Sequence, residues 1–252
     1  MLATDRFQYI PTEWARVWAA YSPAIQAQAP RGGLVVLPEK IALLDADQAR
    51  TAARDVATAA RRSGATLVVG VEVKTGAYRN RALIASPDGH TAWYDKQRMV
   101  PHLEDRDVPG ATPFYGVVGG VPFGVAICKD MHIPSIGRQY AGRVGLMAIP
   151  AWDFRRDGWM GARMTAMRAV ENGYAIARAA RDGLVGGYDG AGRVLAERRS
   201  ADGMAVARVT MPAEVRPTLY GRIGDTFGWA CVAAAALLAG WAGLTRLRRL
   251  RS

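Results

Sequence analysis

The chain has 252 residues, of which half are hydrophobic and 22% are charged, a balance typical of one globular core and not of a disordered chain. Its formal net charge of +11 does not favour nucleic-acid binding, because basic and acidic residues are interspersed and no aromatic-basic recognition motif is present. The three histidines lack zinc-ligand spacing, so we expect neither a metal nor another cofactor. Cys128 and Cys231 are predicted to be free thiols.

Helical and strand patterns alternate along the first 212 residues. The predicted helices cover residues 13–22, 46–62, 134–141 and 160–171, and Pro23 is expected to end the first of them. The predicted strands cover residues 34–37, 66–73, 81–85, 91–94, 122–128, 144–149, 175–180, 184–188, 194–197 and 204–209. This order favours an α/β fold built in layers around mixed sheets.

A second composition begins after residue 212, where Pro and Gly interrupt the strand pattern. Residues 213–226 are predicted to form a linker, and residues 227–245 carry no charge and are just long enough to cross a bilayer. Trp229 and Trp241 lie near the ends of this run, where their rings favour the membrane interface. We therefore predict a single-pass membrane protein with residues 1–212 as its globular domain.

The last seven residues, 246–252, form a basic tail with four arginines, which the positive-inside rule places in the cytoplasm. That orientation would put the globular domain outside the cytoplasm. The N-terminal residues contain no apolar segment of the kind found in a cleavable signal peptide, so no export route for the domain is predicted. The sequence leaves this conflict open.

Three reactive side chains follow three predicted apolar strands. Glu39 comes after LVVLP, Lys96 after TAWYD, and Cys128 after FGVAI. Sites in α/β sheets gather at the carboxyl ends of strands, so we expect these side chains to lie together. Each residue alone has an ordinary structural interpretation: an inert buried thiol, a solvated lysine and a turn glutamate. Because all three follow strands, a catalytic interpretation of the set is favoured.

The motifs LPEK, YDKQRMVPHLE and GVAICKD resemble the glutamate, lysine and cysteine motifs of the nitrilase (carbon–nitrogen hydrolase) superfamily, in the same order. Within it, the segments from IPAWDF to GRVL and from TLYGR to the apolar run look most like the catalytic domain of the apolipoprotein N-acyltransferase family. The resemblance covers the chain from about Trp14 onward. It implies an α-β-β-α sandwich followed by a single C-terminal transmembrane helix.

The residue types suit nucleophilic catalysis. A thiol is only slightly ionised at neutral pH, so a neighbouring base, here Glu39, is expected to take the proton of Cys128. The thiolate then attacks an ester, amide or nitrile carbon and forms an acyl-enzyme. Lys96, with the backbone N–H that follows Cys128, is predicted to stabilise the oxyanion of the tetrahedral intermediate.

The resemblance also implies roles for residues outside the triad. Glu104 stands where the acyltransferases carry a second glutamate that supports the lysine and the base, although a surface loop acid is the alternative. Asp130 lies near a family glutamate and is predicted to support the site. Trp152 is predicted to shape the substrate pocket, or else to be a core aromatic. Lys129 departs from the family, which usually has an aromatic there.

Three functions stay open. The first is an N-acyltransferase-like enzyme of a bacterial inner membrane, with a phospholipid donor and a lipoprotein acceptor. The resemblance also implies an N-terminal bundle of membrane helices, which a separate membrane subunit would have to replace. The second is an anchored amidase that passes the acyl group of a small amide or ester to water. The third is a non-catalytic tethered module, which the presence of all three triad residues disfavours.

Overall fold

The computed structural model describes residues 1–7 and 13–250, and its body is a sandwich of two β-sheets with helices on both outer faces. The helices are α1 (Trp14–Gln28), α2 (Ala46–Ser63), α3 (Pro134–Gln139), α4 (Gly158–Asn172), α5 (Leu219–Ile223) and α6 (Thr226–Leu250). The strands are β1 (Leu2–Ala3), β2 (Leu34–Val36), β3 (Leu43–Leu44), β4 (Thr66–Thr75), β5 (Ala77–Ala85), β6 (Thr91–Asp95), β7 (Phe114–Val118), β8 (Val121–Val125), β9 (Leu146–Trp152), β10 (Ala175–Arg181), β11 (Leu184–Tyr188), β12 (Val194–Arg199) and β13 (Ala205–Val206).

The first sheet has the strand order β2-β4-β5-β6, with β3 paired to β4. Strands β2 and β3 run parallel to β4, whereas β4, β5 and β6 are antiparallel neighbours. Strand β4 shows the two-residue period of a strand buried on both faces: Leu67, Val69 and Val71 face the helices α1 and α2, and Val68 faces the other sheet. The same sheet therefore contributes to two separate cores.

The second sheet has the strand order β12-β11-β10-β9-β8-β7. Its centre, β8-β9-β10, is parallel, and its flanking pairs are antiparallel. The parallel centre places the carboxyl ends of β8 and β9 at one edge, and the parallel pair β2 and β4 does the same in the first sheet. These edges carry the site described below.

Three apolar cores separate four layers, which confirms the predicted α-β-β-α sandwich. The outer cores lie between α1, α2 and the first sheet, and between α3, α4 and the second sheet. The central core lies between the sheets and includes Val68 and Ile84 from one side and Val125 and Ala148 from the other. Because both sheets are covered on both faces, their central strands are continuous apolar runs.

Helix α1 is longer than predicted, because it continues through Pro23 to Gln28. Proline in a helix interior removes one backbone hydrogen bond and was expected to end the helix. The buried positions Trp14, Val17, Tyr21 and Ile25 keep helical spacing across the proline. Burial of Ile25 beyond Pro23 stabilises the longer helix, so the prediction of a break was wrong.

Helix α6 contains the whole apolar run that was predicted to cross a membrane. Its segment from Thr226 to Gly243 is long and apolar enough for a span, and none of it is buried against the rest of the chain. The short helix α5 lies inside the predicted linker, and the helical backbone continues into the basic tail as far as Leu250. Residues 251–252, including the last arginine of the tail, lie outside the described residues.

Candidate active site

The three predicted catalytic residues line one cavity of about 580 Å³ between the strand ends of the two sheets. Glu39 follows β2, Lys96 follows β6 and Cys128 follows β8. Close approach of the strands requires Gly70 of β4, because a Cβ there would lie 2.4 Å from the Pro38 carbonyl oxygen. The backbone N–H of Glu39 also donates to the Ala151 carbonyl of β9, so this loop joins the sheets.

Glu39 and Lys96 form the centre of a buried polar cluster. The Lys96 ammonium donates to Glu39 Oε1 at 2.7 Å and to Glu104 Oε2 at 2.8 Å. The Asn80 amide nitrogen donates to Glu39 Oε1 at 2.5 Å and to Glu104 Oε1 at 2.7 Å. Both bonds to Glu39 use the same oxygen, and no donor among the described residues bonds Oε2. That oxygen is therefore available to take a proton.

The charges in this cluster stabilise one another. Burial by itself lowers the pKa of Lys96, but the Glu39 carboxylate, and with it Glu104, outweighs that effect and holds the pKa above its ordinary value. Burial raises the pKa of Glu104, yet the Lys96 and Lys40 ammonium groups lower it to about 2. Lys96 and Glu104 are thus both ionised near neutral pH. Lys96 uses two of its three N–H groups on carboxylates, which leaves one for a substrate oxygen.

Lys40 extends the cluster to a second group of acids. Its ammonium lies 2.9 Å from Glu72, 2.8 Å from Asp107 and 3.1 Å from Glu104. Burial lowers the pKa of Lys40, but these carboxylates raise it to about 12. Lys40 has a φ of 48°, a left-handed conformation that residues other than glycine rarely adopt. The turn after Glu39 is therefore held by ion pairs against local strain.

Cys128 lies at the first position of a 3₁₀ turn, Cys128–His132, with a φ of 43°. Reactive side chains often lie on such strained turns after strands, which project them into the site. The thiol donates to the Trp152 carbonyl oxygen at 3.4 Å. Burial and the Glu39 carboxylate raise the pKa of this thiol, and the Lys96 ammonium opposes them only in part. The thiol is therefore neutral at rest and needs a base during the reaction.

Asp130 lies behind the cavity and connects the loops that carry Cys128 and Lys96. Its carboxylate accepts the backbone N–H groups of Ile127 at 2.9 Å, Gln97 at 3.0 Å and Arg98 at 2.7 Å, and the Tyr94 hydroxyl at 2.7 Å. Burial raises the pKa of Asp130 to about 6, although these hydrogen bonds oppose the shift. The geometry matches a residue that positions the two loops.

Trp152 lines the cavity, and its ring stacks on the Arg181 guanidinium, whose central carbon lies 3.6 Å from the ring centroid. The next residue, Asp153, forms a buried two-bond ion pair with Arg178 at 2.5 and 3.0 Å. Burial raises the pKa of Asp153, while the Arg178 guanidinium lowers it. This ion pair between the end of β9 and strand β10 supports the cavity wall.

The polar residues in and around the cavity that sequence reasoning missed include Lys40, Asn80, Asp153 and Arg178. Each carried a weak signal, since Lys40 and Asp153 are charged residues beside strand-end site residues. Asn80 and Arg178 are polar residues inside apolar strands, where a buried partner is expected. What the linear pattern lacked was the identity of the partners.

No family model matches the chain. Its sequence is 29% identical over 195 residues to the apolipoprotein N-acyltransferase of Geobacter metallireducens, a match that covers 64% of this chain and 36% of that protein. The chain thus spans about a third of the length of this relative.

Solved structures show the same fold. A CN-hydrolase superfamily protein of Xanthomonas campestris superposes with a TM-score of 0.70 at 19% identity, over 83% of this chain and 90% of that one. An amidase from Nesterenkonia sp. superposes with a TM-score of 0.68 at 23% identity, over 81% and 87%. A variant of that amidase carries the acetamide moiety of fluoroacetamide covalently on its active-site cysteine.

Proposed function

Because the chain shares the fold of carbon–nitrogen hydrolases and is similar in sequence to an apolipoprotein N-acyltransferase, we propose that it is a cysteine-dependent acyl-transfer enzyme of that superfamily, which forms an acyl-enzyme on Cys128 and passes the acyl group to an amine. The observation that carries this proposal is the shared cavity of Glu39, Lys96 and Cys128. Glu39 Oε2 has no donor among the described residues there, and the Lys96 ammonium retains one N–H. A base, an oxyanion donor and a nucleophile are thus available at one place.

The first half-reaction begins when the Cys128 thiol leaves the Trp152 carbonyl and gives its proton to Glu39. The thiolate attacks the carbonyl carbon of the donor, and the Lys96 ammonium stabilises the oxyanion that forms. The Lys129 backbone N–H, which has no backbone acceptor among the described residues, shares this role. Collapse of the intermediate breaks the bond to the leaving group, which takes the proton from Glu39.

The second half-reaction reverses the roles. An acceptor amine gives a proton to Glu39 and attacks the thioester carbon, and the Cys128 thiolate leaves and is reprotonated. The product is an amide of the acyl group. Similarity to an apolipoprotein N-acyltransferase supports an amine on a lipoprotein as acceptor. The donor proposed here is a phospholipid. The apolar cavity wall, which includes Leu103, Phe154 and Met160, supports a donor with a hydrocarbon chain.

Intact-mass analysis tests this mechanism. The purified protein is incubated with phospholipid and, separately, with fluoroacetamide, and the adduct is located by peptide mapping. We expect a hydroxylamine-sensitive acyl adduct on Cys128 with phospholipid, none in Cys128→Ala, and an unchanged adduct in the matched variant Cys231→Ala. An adduct on Cys231 alone, or none on Cys128 with either reagent, would contradict the proposal.

A hydrolase is the second candidate, because the chain shares its fold with an amidase. The two candidates differ in the fate of the acyl-enzyme. The isolated adduct is therefore incubated in buffer alone, with a lipopeptide that has a free N-terminal amine, and with the N-acetylated form of that lipopeptide. Faster release by the free amine alone, with amide product, supports the transferase. Equal release in all three supports the amidase.

We also propose that α6 spans a membrane once, with the arginine tail in the cytoplasm. The exposed apolar side chains of Phe227, Trp229, Leu237, Leu238 and Trp241 support this, because a row of such residues on a water-exposed helix favours lipid. A protease-cleavable tag after residue 252 tests the orientation. We expect protease added outside the cell to cleave the tag only after the inner membrane is permeabilised. Cleavage in intact spheroplasts would indicate the opposite topology.

A further inference from the structure

Five cationic side chains line the cavity, and four of them have partners. Lys40 and Lys96 are paired with buried carboxylates, and Arg106 is paired with Glu72. Arg181 donates to the Phe7 carbonyl and stacks on the Trp152 ring. Lys129, the fifth, has no carboxylate oxygen within 4 Å in the part of the chain that the structure describes.

The carboxylates around the cavity are also largely occupied. Glu39 and Glu104 share the Lys96 ammonium, and Asp153 is held by both ends of the Arg178 guanidinium. Asp157 lies exposed at the cavity rim, at the start of α4. The positive charge of Lys129 is therefore not balanced by a neighbouring acid, although the side chain is half-buried beside the nucleophile.

The cavity that Lys129 lines also has uncharged and apolar groups in its wall. His132, on the same 3₁₀ turn, lines the cavity, and burial together with the Lys129 ammonium lowers its pKa to about 4, so the imidazole is neutral. Phe154, Met160 and Met164 line the cavity with apolar surface. A half-buried cation that lines such a cavity interacts more strongly with an anion than an exposed cation does, because less water screens the charge.

We propose that Lys129 binds an anionic group of the acyl donor, a phosphate or carboxylate within a few bonds of the carbonyl carbon that Cys128 attacks. The donor is then an anionic amphiphile, with its chain against the Phe154 and Met160 wall and its charge at the 3₁₀ turn. This inference rests on the proposed function for the donor's chemistry. The anion subsite itself rests only on the charges around the thiol.

A pair of alkylating agents of similar size, one anionic and one neutral, tests the subsite without requiring acyl transfer. In a Cys231→Ala background, Cys128 is modified by iodoacetate or iodoacetamide, and both rates are followed by intact mass. We expect Lys129→Gln to lower the iodoacetate-to-iodoacetamide rate ratio about tenfold, while Lys129→Arg retains it. Lys74→Gln, which removes the same charge outside the cavity, should leave the ratio unchanged. An unchanged ratio in Lys129→Gln would overturn the subsite.

Two substrate pairs then identify the source of the anion. One pair is dioctanoyl phosphatidate and dioctanoylglycerol, and the other is succinamate and butyramide. If the wild-type protein prefers phosphatidate over dioctanoylglycerol and Lys129→Gln removes that preference, the anion is a lipid phosphate. If it prefers succinamate over butyramide and Lys129→Gln removes that preference, the anion is a small carboxylate. Equal slowing of the charged and neutral members by Lys129→Gln would overturn the proposal. A changed alkylation ratio without any acyl adduct would instead count against the proposed function alone.

Discussion

The two sheets of the sandwich bring different kinds of chemistry to the cavity. The first sheet supplies Glu39 and Lys96, whose charged atoms are already joined by hydrogen bonds of 2.8 Å or less to each other and to Glu104 and Asn80. The second sheet supplies Cys128, which has one weak contact of 3.4 Å and a strained backbone. The proton-handling half is fixed before substrate arrives, whereas the nucleophile is held loosely enough to change partner.

This difference follows from the work each half performs. A base and an oxyanion donor act best when they are preorganised, because no reorganisation is then needed as charge develops. A nucleophile must break its resting contact and form a covalent bond. The sandwich separates these requirements between its sheets and joins them through Asp130 and the Glu39 backbone.

The largest effect is expected at the nucleophile. Cys128→Ser should reduce turnover of an identified donor by on the order of 10⁴-fold or more, because a hydroxyl is much harder for Glu39 to deprotonate than a thiol. Steady-state kinetics, with folding checked by circular dichroism, measures it. Cys231→Ser is the control and should keep wild-type turnover. Combining Glu39→Gln with Cys128→Ser should slow the enzyme scarcely more than the worse single change.

The second effect concerns the ion-pair cluster of the first sheet. Glu104→Gln should destabilise the fold by about 1.5–3 kcal/mol, because Lys96 and Lys40 each lose one carboxylate partner in a buried site while keeping their others. It should also slow acylation, since Lys96 loses one of the two carboxylates that hold it. Urea unfolding and single-turnover rates check the two effects. Wild-type stability in the variant would show that the cluster is not preorganised by charge.

The same cluster gives the protein a pH dependence at acid pH. The pKa of Glu104 is about 2 in the folded protein, against an ordinary value of 4.5. Between these values the unfolded chain binds more protons than the folded one, so stability should fall as pH decreases through that window. The fall in urea midpoint should be smaller in Glu104→Gln, and an equal fall in both proteins would contradict this assignment.

A smaller effect is expected where the sheets are joined. Asp130→Asn replaces a carboxylate that accepts four hydrogen bonds with an amide whose NH₂ group faces a donor. The free energy of unfolding should fall by about 1–3 kcal/mol. Turnover should fall about tenfold through kcat with little change in KM, because the loops that carry Lys96 and Cys128 lose their common anchor. Asp88→Asn, in an exposed turn, is the control. A change confined to KM would place Asp130 in substrate binding instead.

The smallest effect on chemistry is expected from deleting the residues after Gly224. Both sheets end before residue 212, and the apolar part of α6 is not buried against them. The turnover rate of the shortened protein with a water-soluble donor should therefore lie within about twofold of the wild-type rate, because exposed residues contribute little to stability. It should no longer sediment with membranes. Continued sedimentation would place the anchor elsewhere, for example on the helix that carries Trp14 and Trp18.

Much of the fold could be predicted because burial leaves a period in the sequence. Most strands of both sheets and the helices α2 and α4 were predicted within a few residues, since their apolar positions repeat with a period of a strand or a helix. The short strand β3 and the edge strand β7 were not predicted. The end of α1 was predicted wrongly. A proline lowers the local helix propensity, but the buried Ile25 beyond it contributes more, and only the packed structure shows what Ile25 contacts.

The amino-acid sequence alone determined which residues carry reactive groups and that Glu39, Lys96 and Cys128 each follow a strand. Strand ends can be predicted because they depend on local propensity. The tertiary structure decided which atoms meet. Asn80 and Lys96 bond to one oxygen of Glu39, Lys40 pairs with three acids, and Lys129 pairs with none of the acids that the structure describes. Those pairings join residues up to 67 positions apart, and an ion pair forms only where folding brings both charges out of water together.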